Sequence, residues 1–299
     1  MTSAEDLSPG LRTQVLTEAL PYIRRFWGST VVVKFGGHAM VDATLAQQFA
    51  DDIVLLHAVG MRIVVVHGGG PQITAAMEKL GKVPEFREGQ RVTDAETLEI
   101  VRMVLVGKVG RDIVSSINVH GPLAVGISGE DAGLIAAEAR DPELGFIGDV
   151  VSVNPSIVER LLAEHLIPVV STIGTDAAGQ AYNINADAVA GAVAGALAAE
   201  KVLYLTDVPG VLTDLNDPTS LVAELTPSEI RSLTVAGTIN GGMIPKTEAC
   251  IAAIDRGAKA AHLLDGRVPH ALLLEIFTDS GIGTMVVGEH TSGPSGPPS

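Results

Sequence analysis

The feature that most constrains the fold is a series of short apolar runs separated by segments with helical spacing. Helical patterns occupy residues 43–59, 71–80, 94–117, 155–164, 186–199 and 244–257. The apolar runs are TVVVKF (30–35), RIVVVH (62–67), PLAVGI (122–127), LIPVVSTI (166–173), KVLYLT (201–206), KAAHLL (259–264) and TMVVG (284–288). Strands that are apolar at nearly every position are typical of parallel sheets covered by helices. The pattern predicts an α/β fold with a mostly parallel sheet.

Composition and net charge limit which kinds of molecule the protein can bind. The chain has 299 residues, of which 46% are hydrophobic but only 3% aromatic, so Val, Ile, Leu and Ala must build the core. Its net charge of −15 predicts that neither nucleic acid nor an anionic membrane is a partner. An anionic small substrate would need positive groups gathered locally. The single cysteine, Cys250, lies in an apolar helical pattern and is predicted to be a buried structural thiol.

The polar, acidic start of the chain does not resemble a signal peptide, and the most apolar stretch is too short to span a bilayer. These observations predict a cytoplasmic protein.

The glycine turn at 68–70 follows a predicted strand and precedes a predicted helix. Glycines at a helix N-terminus expose backbone N–H groups to an anion, because no Cβ blocks the approach. Pro71 suits the first helical position, where no N–H is needed. A tight turn is the alternative, but three consecutive glycines exceed what a turn requires. We expect an anion-binding loop here.

A lysine in an apolar run marks a second glycine turn. Lys34 lies within VVVKF and is followed at once by Gly36 and Gly37. A lysine in a buried strand is costly unless it meets an anion. The alternative is a lysine that keeps an edge strand soluble, and the paired glycines argue against it.

Further polar stretches could complete a site. Arg91 in GQRVTD precedes a helix and could hold a carboxylate with its forked guanidinium; a surface arginine is the alternative. Asn183, Asn185 and Asp187 alternate in AYNINAD and could face one way if extended, or serve as loop and cap residues. Lys246 in NGGMIPKTEA lies near a helix start, where a positive charge is tolerable if it faces a phosphate.

Several known catalytic motifs are absent from the sequence. Neither a GxxxxGK[ST] loop nor a GxGxxG fingerprint occurs, and the protein-kinase motifs are missing. An HGGG stretch also forms part of the oxyanion hole of some esterases, but those enzymes need a GxSxG elbow. The nearest match, GISGE at 126–130, ends in glutamate and fails.

The ordered set of motifs is similar to the amino-acid kinase family. The motifs are VVVKFGG, VVVHGGGPQI, GQRVTD, AYNINAD, YLTDVPGV and GGMIPK, within a resemblance that runs from about residue 20 to 288. The similarity is closest to the branch that phosphorylates N-acetyl-L-glutamate. It implies an αβα sandwich around a mainly parallel sheet. It also implies a helical extension at 1–28, an acetylglutamate-binding lobe at 29–180, an ATP-binding lobe at 181–290 and a disordered tail at 291–299.

The resemblance also implies roles for individual residues. Lys34 and Lys246 resemble the lysines that act on the transferring phosphoryl group, and Asp187 resembles the aspartate that orients both. The implied acetylglutamate-binding residues are Gly69, Gly70, Arg91, Asn183 and Asn185. The implied phosphate- and nucleotide-binding residues are Gly36, Gly37, Asp207 and Lys246. The implied co-substrate is ATP, with Mg²⁺ carried on its phosphates and no metal site on the protein.

Regulation by L-arginine is implied by a helix ahead of the first strand. In the family such a helix is kinked, marks arginine-inhibited enzymes and interlaces to link dimers into hexamers; Pro21 supplies the kink here. Candidate arginine contacts are Tyr22, Lys201, His262, Glu275 and Gly283. The alternatives are that the helix packs on its own domain, and that His262 and Glu275 are ordinary helix-end residues.

Two other functions stay open at this point. A kinase of the same fold could act on glutamate, aspartate, carbamate or UMP, although Arg91 and NINAD match the acetylglutamate branch. A non-catalytic arginine or nucleotide sensor is the second, but a sensor need not keep both Lys34 and Lys246.

Overall fold

The computed structural model describes residues 8–87 and 89–289, so the predicted tail at 291–299 lies outside the described residues. The α-helices of the described ranges are α1 (Pro9–Phe26), α2 (Ala43–Ala58), α3 (Gly70–Lys79), α4 (Ala95–Arg102), α5 (Gly110–Asn118), α6 (Ser156–Ala163), α7 (Ala186–Ala196), α8 (Pro227–Val235), α9 (Met243–Asp255) and α10 (Ala271–Ile276). A π-helical turn (Met103–Val109) joins α4 to α5, so the continuous helix predicted over 94–117 is interrupted.

Each of the seven apolar runs contains a strand of the main sheet, and the described residues form seven further strands. The strands are β1 (Thr30–Phe35), β2 (Arg62–His67), β3 (Phe86–Arg87), β4 (Gln90–Arg91), β5 (Ala124–Ser128), β6 (Ile135–Ala139), β7 (Ile147–Val153), β8 (Ile167–Ser171), β9 (Ile173–Thr175), β10 (Ala181–Ile184), β11 (Lys201–Thr206), β12 (Glu224–Leu225), β13 (Ala260–Asp265) and β14 (Thr284–Val287).

Eight strands form the main sheet in the order β12-β14-β13-β11-β1-β2-β8-β5. Neighbouring strands are parallel except for β13 and β14, which are antiparallel. From β1 the chain proceeds to β2 on one side and later returns to β11 on the other. In open α/β sheets such a reversal leaves a crevice at the carboxyl ends of the strands, where ligands bind.

Both faces of the sheet are buried. Alternate residues of β1 point to opposite faces: Val31 and Val33 join one apolar cluster and Val32 joins the other. Helix α2 covers the first face, with Ile53 fully buried, and α7 and α9 cover the second. Cys250 is among the buried residues of that second face, as predicted. The αβα sandwich is therefore confirmed.

A smaller closed sheet of β6, β7, β9 and β10 sits beside the main one. Strand β10 pairs in parallel with β7 and antiparallel with β9, and this pairing places Asn183 opposite Ile147. The β9–β10 hairpin crosses the lobe boundary predicted after residue 180, and the division into lobes stays a prediction.

Helix α1 contains Pro21, which removes one backbone hydrogen bond. Its last residue, Phe26, is 3% exposed, so the end of the helix packs on the chain itself. Exposed apolar side chains line the rest of the helix: Leu11, Val15, Leu16 and Leu20. Within the described ranges, no helix combines the length and apolar character that crossing a membrane would require.

Candidate active site

Lys34 lies near the carboxyl end of a central strand. Strand β1 is flanked by β2 and β11, so the alternative of an edge-strand lysine is wrong. The Lys34 ammonium is 3.0 Å from Asp187 Oδ1, and the side chains are 12% and 21% exposed. A Cβ on Gly36 would lie 2.9 Å from Lys34 Nζ, so the ammonium folds back over this glycine. A partly buried cation is thus held between a carboxylate and a glycine turn.

The start of α7 brings Asp187 to this position. Asn185 caps the helix: its side-chain oxygen accepts from the N–H groups of Asp187 (2.8 Å) and Ala188 (3.2 Å). Of the possible cap residues in this stretch, Asn185 is the one that caps α7. Because the chain turns helical at Ala186, Asn183, Asn185 and Asp187 do not alternate along one extended segment, and that expectation is wrong. The carboxylate of Asp187 is left to face Lys34.

The glycine turn after β2 lies against the end of β1. Gly68 N–H donates to the carbonyl of Phe35 at 3.1 Å, and a Cβ on Gly68 would lie 3.4 Å from Ala186 Cβ. No described residue accepts a hydrogen bond from the N–H of Gly69 or Gly70. A Cβ on Gly70 would meet nothing within 4 Å. Two strand ends and the start of α7 therefore converge, with free N–H groups between them.

Arg91 is a buried cation at the edge of this region. It is 8% exposed, and its guanidinium donates to Gly70 O at 3.1 Å and to Thr74 Oγ1 at 2.7 Å. It also stacks on the ring of Phe86, 4.7 Å from the ring centre. Among the described residues no carboxylate pairs with it, and burial lowers its pKa. A desolvated guanidinium without a counter-ion has the charge to bind an anionic ligand.

Arg91 and the glycine turn at 68–70 line one open cavity, whose volume is about 760 Å³ including the solvent at its mouth. All five residues predicted to bind the substrate line it: Gly69, Gly70, Arg91, Asn183 and Asn185. The sequence analysis missed its other walls, which include Ile73, Leu105, Arg140, Ile147 and Thr172. Leu105 belongs to the π-helical turn, which has no recognisable sequence period. Arg140 directly follows a short strand, and nothing else in the sequence points to it.

A second cavity of about 1140 Å³ adjoins the first and shares four lining residues with it, Gly89, Gln90, Arg140 and Asn185. Asp187 and Pro245 also line it, so it reaches the first turn of α9. Lys246 follows Pro245 and makes no ion pair with a described carboxylate. The structure therefore brings Lys34 and Asp187 into contact but does not join Lys246 to them.

The remaining predicted phosphate-loop residues lie together. Gly37 has a φ of +70°, and a Cβ there would lie 3.0 Å from Asp207 Oδ1. The position needs glycine both for its left-handed backbone and for the close carboxylate. Asp207 follows β11, so it lies at the same edge of the sheet as Lys34. The nucleotide-binding roles of Gly36, Gly37, Asp207 and Lys246 stay predictions.

Comparison with known proteins identifies the family. The model of the amino acid kinase family matches residues 29–265. The chain belongs to the amino acid kinase family. An acetylglutamate kinase of Moorella thermoacetica is 52% identical over 292 residues, covering 94% of this chain and 99% of that protein. The resemblance read from the motifs is thereby confirmed, and kinases of this family use ATP.

Solved structures agree with the family fold. N-acetylglutamate synthase of Neisseria gonorrhoeae, complexed with coenzyme A and N-acetyl-glutamate, matches with a TM-score of 0.79 and 25% identity over 92% of this chain. This chain spans 63% of that protein's chain. Carbamate kinase of Giardia lamblia, bound to AMP-PNP, matches with a TM-score of 0.65 at 19% identity over 88% of this chain and 99% of its own, which concerns the fold alone.

A second polar cluster lies near the amino ends of β11 and β13. Lys201 Nζ is 2.8 Å from His262 Nε2, and His262 Nδ1 is 2.6 Å from Glu275 Oε1. Glu275 Oε2 also accepts from the N–H of Ile282 at 2.9 Å. His262 lies inside β13 and is 1% exposed, so it is not a helix-end residue. We call Lys201, His262 and Glu275 the lysine–histidine–glutamate relay.

Burial governs the charges in this relay. It lowers the pKa of Lys201 to about 8 and lowers the pKa of His262 as well. Burial alone would raise the pKa of Glu275, but the hydrogen bond and charge of His262 hold that pKa below its usual value. A neutral His262 donates from Nδ1 to the carboxylate and accepts at Nε2 from Lys201. The relay is therefore an ammonium and a carboxylate joined by one imidazole.

The other predicted arginine contacts border this relay. Tyr22 of α1 packs edge-on against Phe277, with ring centres 6.5 Å apart, and its hydroxyl donates to Asp279. A Cβ on Gly283 would lie 2.1 Å from the carbonyl oxygen of Leu263, so only glycine fits beside β13. The candidates thus gather between the end of α1 and the loop that follows α10.

Proposed function

We propose that this chain transfers the γ-phosphoryl group of MgATP to the γ-carboxylate of N-acetyl-L-glutamate, an early step of arginine biosynthesis. One observation carries the proposal: the five predicted substrate-binding residues line a single cavity that contains an unpaired, buried guanidinium. The identity to acetylglutamate kinase of Moorella thermoacetica supports the choice of substrate.

The chemistry follows from the charges. The pKa of a glutamate side-chain carboxyl group is about 4.3, so the substrate is already ionised at neutral pH and needs no general base. One of its oxygens forms a bond to the γ-phosphorus while the bond from that phosphorus to the β,γ-bridging oxygen breaks, which yields an acyl phosphate and ADP. Negative charge spreads over the equatorial oxygens, and positioned cations and N–H groups stabilise it.

Each residue then has a task. Arg91 holds a carboxylate of the substrate, and the N–H groups of Gly69 and Gly70 and the Lys34 ammonium stabilise the transferring group. Asp187 orients Lys34, and Lys246 approaches from the nucleotide side. Mg²⁺ arrives on the ATP phosphates as part of the substrate.

A substrate panel tests this function. ADP release from MgATP is measured with N-acetyl-L-glutamate, L-glutamate, L-aspartate, carbamate and UMP. We expect turnover with the acetylated acid to exceed that with every other acceptor. A preference for another acceptor would show that N-acetyl-L-glutamate is not the main substrate. No turnover with any acceptor would favour a non-catalytic sensor.

We further propose that L-arginine inhibits this enzyme at the lysine–histidine–glutamate relay. Glu275 uses one lone pair on each oxygen for His262 and Ile282, which leaves acceptor capacity for a guanidinium. Tyr22 and Gly283 border the same place, so α1 contributes to the site. Repeating the substrate panel with added L-arginine tests this idea, since undiminished turnover would exclude inhibition.

We also propose a cytoplasmic homohexamer in which α1 packs against α1 of another copy. The exposed stripe of Leu11, Val15, Leu16 and Leu20 supports it, because contiguous exposed apolar side chains mark interaction surfaces. Light scattering after size exclusion should give a hexamer for the natural chain and a smaller species for the double variant Leu16→Glu, Leu20→Glu. An unchanged mass would place the interface elsewhere.

A further inference from the structure

A buried histidine at the end of β2 has no task in the phosphoryl transfer described above. His67 is 0% exposed; its Nδ1 lies 2.9 Å from the carbonyl oxygen of Gly68 and its Nε2 lies 3.1 Å from Ser171 Oγ. Ser171 ends β8, and the register of β2 and β8 places it directly beside His67. Both partners are therefore fixed by the sheet.

The partners also fix the protonation of the ring. A carbonyl oxygen only accepts, so Nδ1 must carry a hydrogen and donate to Gly68 O. Burial lowers the pKa of His67 to about 4, so the ring is neutral at neutral pH and Nε2 accepts from the Ser171 hydroxyl. His67 thus holds one defined tautomer.

The bond to Gly68 sets the direction of a backbone donor. The described residues contain no cis peptide, and in a trans peptide the C=O and N–H groups point in opposite directions. Because His67 draws Gly68 O into the interior, the N–H of Gly69 faces the other way, towards the cavity that Gly68, Gly69 and Gly70 line. Glycines flank this peptide on both sides, so without the histidine it could rotate.

Ser171 also lies against the opposite wall. Its Oγ is 3.4 Å from the carbonyl oxygen of Leu105, in the π-helical turn, but its one hydroxyl hydrogen goes to His67 Nε2, so this second approach is a packing contact. Leu105 lines the cavity and packs on Gly69, where a Cβ would lie 2.7 Å from Leu105 Cδ2. One pair of buried side chains therefore contacts both the glycine turn and the wall that covers it.

We propose that His67 and Ser171 are positioning residues that hold the Gly68–Gly69 peptide with its N–H directed at the transferring phosphoryl group. The inference rests on the proposed function, because that N–H stabilises charge only if a phosphoryl group is transferred here. Neither side chain touches the substrate. Their effect comes from preorganising a donor that would otherwise have to be reoriented during the reaction.

The test compares two substitutions of the same histidine. His67→Leu removes both hydrogen bonds at similar volume, whereas His67→Asn keeps an N–H at the place of Nδ1. We expect His67→Leu to lower kcat by about 10- to 100-fold and to leave KM for ATP within about threefold. His67→Asn should recover most of the lost kcat. His120→Leu, at a half-exposed surface histidine paired with Asp51, is the matched control.

Two outcomes for the His67 variants would overturn the inference. A kcat for His67→Leu within about twofold of the natural enzyme would overturn the inference, as would equal losses in folded His67→Leu and His67→Asn. Should His67→Leu not fold, Ser171→Ala is measured instead: a loss of kcat of a few fold at unchanged KM supports the inference and an unchanged kcat overturns it.

Failure of the proposed function is distinguishable from failure of this inference. If the natural enzyme does not phosphorylate N-acetyl-L-glutamate, crystal structures of the natural chain and the two His67 variants decide. A Gly68–Gly69 peptide that is rotated only in His67→Leu supports the inference. The same orientation in all three overturns it.

Discussion

Two partly buried lysines on neighbouring strands, Lys34 and Lys201, have different partners. Strands β1 and β11 pair so that Val31 faces Lys201 and Lys34 faces Tyr204. Lys34 and Lys201 are therefore offset by three positions, about 10 Å along the sheet. Lys34 shares its face with Val32, and Lys201 shares the opposite face with Leu203. The two ammonium groups therefore lie on opposite faces of one sheet.

Their partners differ. Lys201 is tied through His262 to Glu275, so its charge is balanced by a hydrogen-bonded chain. Lys34 is 3.0 Å from Asp187 Oδ1, yet that oxygen lacks a hydrogen bond of good geometry. The two groups still attract each other, because opposite charges at this separation interact whatever their orientation. The Lys34–Asp187 ion pair thus keeps unused hydrogen-bonding capacity, whereas Lys201 and Glu275 are both hydrogen-bonded to His262.

The strongest test of this contrast is to remove the ammonium of Lys34. Lys34→Met should lower kcat by about 10²- to 10³-fold, because a preorganised positive group at the transferring phosphoryl is lost. Steady-state ADP release measures the effect, and a thermal melt verifies folding. Lys259→Met, at an exposed lysine paired with Glu200, is the control and should leave kcat unchanged. A kcat for Lys34→Met within about threefold of the natural enzyme would remove Lys34 from the mechanism.

Removing the unpaired guanidinium should act on substrate binding. Arg91→Met is expected to raise KM for N-acetyl-L-glutamate by about 10- to 100-fold, the worth of a charge-assisted hydrogen bond, with KM for ATP unchanged. Unfolding free energy should fall little, because no described carboxylate loses its partner. Arg87→Met is the matched control on the neighbouring strand, since Arg87 is half exposed and pairs with Glu85. Equal effects of both substitutions on KM would contradict the proposed role of Arg91.

Neutralising the carboxylate of the relay should act on inhibition. Glu275→Gln keeps an oxygen that can accept from His262 but removes the charge that would bind a guanidinium. We expect the arginine concentration for half-inhibition to rise about tenfold or more. Dose–response curves at fixed substrate measure it. Unaltered inhibition in this variant would place the arginine site elsewhere and remove the contrast between the two lysines.

The smallest expected effect concerns a third buried charge. Asp52 on α2 is 2% exposed and accepts from His270 Nδ1 at 2.6 Å. Burial raises its pKa from 3.8 to about 6, although the hydrogen bond and charge of His270 oppose the shift. The raised pKa means that ionisation of Asp52 lowers the free energy of unfolding. The contribution of Asp52 to stability is therefore largest below about pH 4 and is lost as the pH rises through about 6.

Asp52→Asn should abolish this decline, which is at most about 3 kcal/mol. Urea unfolding of both proteins at about pH 4.5 and about pH 7 measures it. Asp51→Asn, at the adjacent and exposed carboxylate, is the control and should retain the decline. The same difference in unfolding free energy between the two pH values in the natural protein and in Asp52→Asn would contradict this assignment. Because Asp52 lies in neither lysine site, kcat should not change.

The sequence predicted the strands and the residue types of the site well. RIVVVH and KVLYLT coincide with β2 and β11, because nearly continuous apolar runs are typical of parallel strands that are buried on both faces. Gly69, Gly70 and Arg91 of the cavity were also predicted, because a buried charge or a run of glycines is costly without a ligand. These features are local in sequence.

What the sequence missed depends on contacts between distant segments. The π-helical turn that places Leu105 over Gly69 has no period of its own. The ring of His67 contacts Ser171, which is 104 residues away in sequence. The sequence did not show which residue of the NINAD stretch caps α7, because Asn and Asp cap helices about equally well. The isolation of Lys246 from Asp187 likewise follows from how α9 packs, which local spacing does not set.

The most direct measurement asks whether a carboxylate accepts the phosphoryl group. The enzyme is incubated with MgATP, N-acetyl-L-glutamate and hydroxylamine, which converts an acyl phosphate into a hydroxamate. We predict hydroxamate in amounts equal to the ADP released, and a loss of both in Lys34→Met. ADP release without hydroxamate, or equal hydroxamate from Lys34→Met, would contradict phosphoryl transfer to the carboxylate at the Lys34 site.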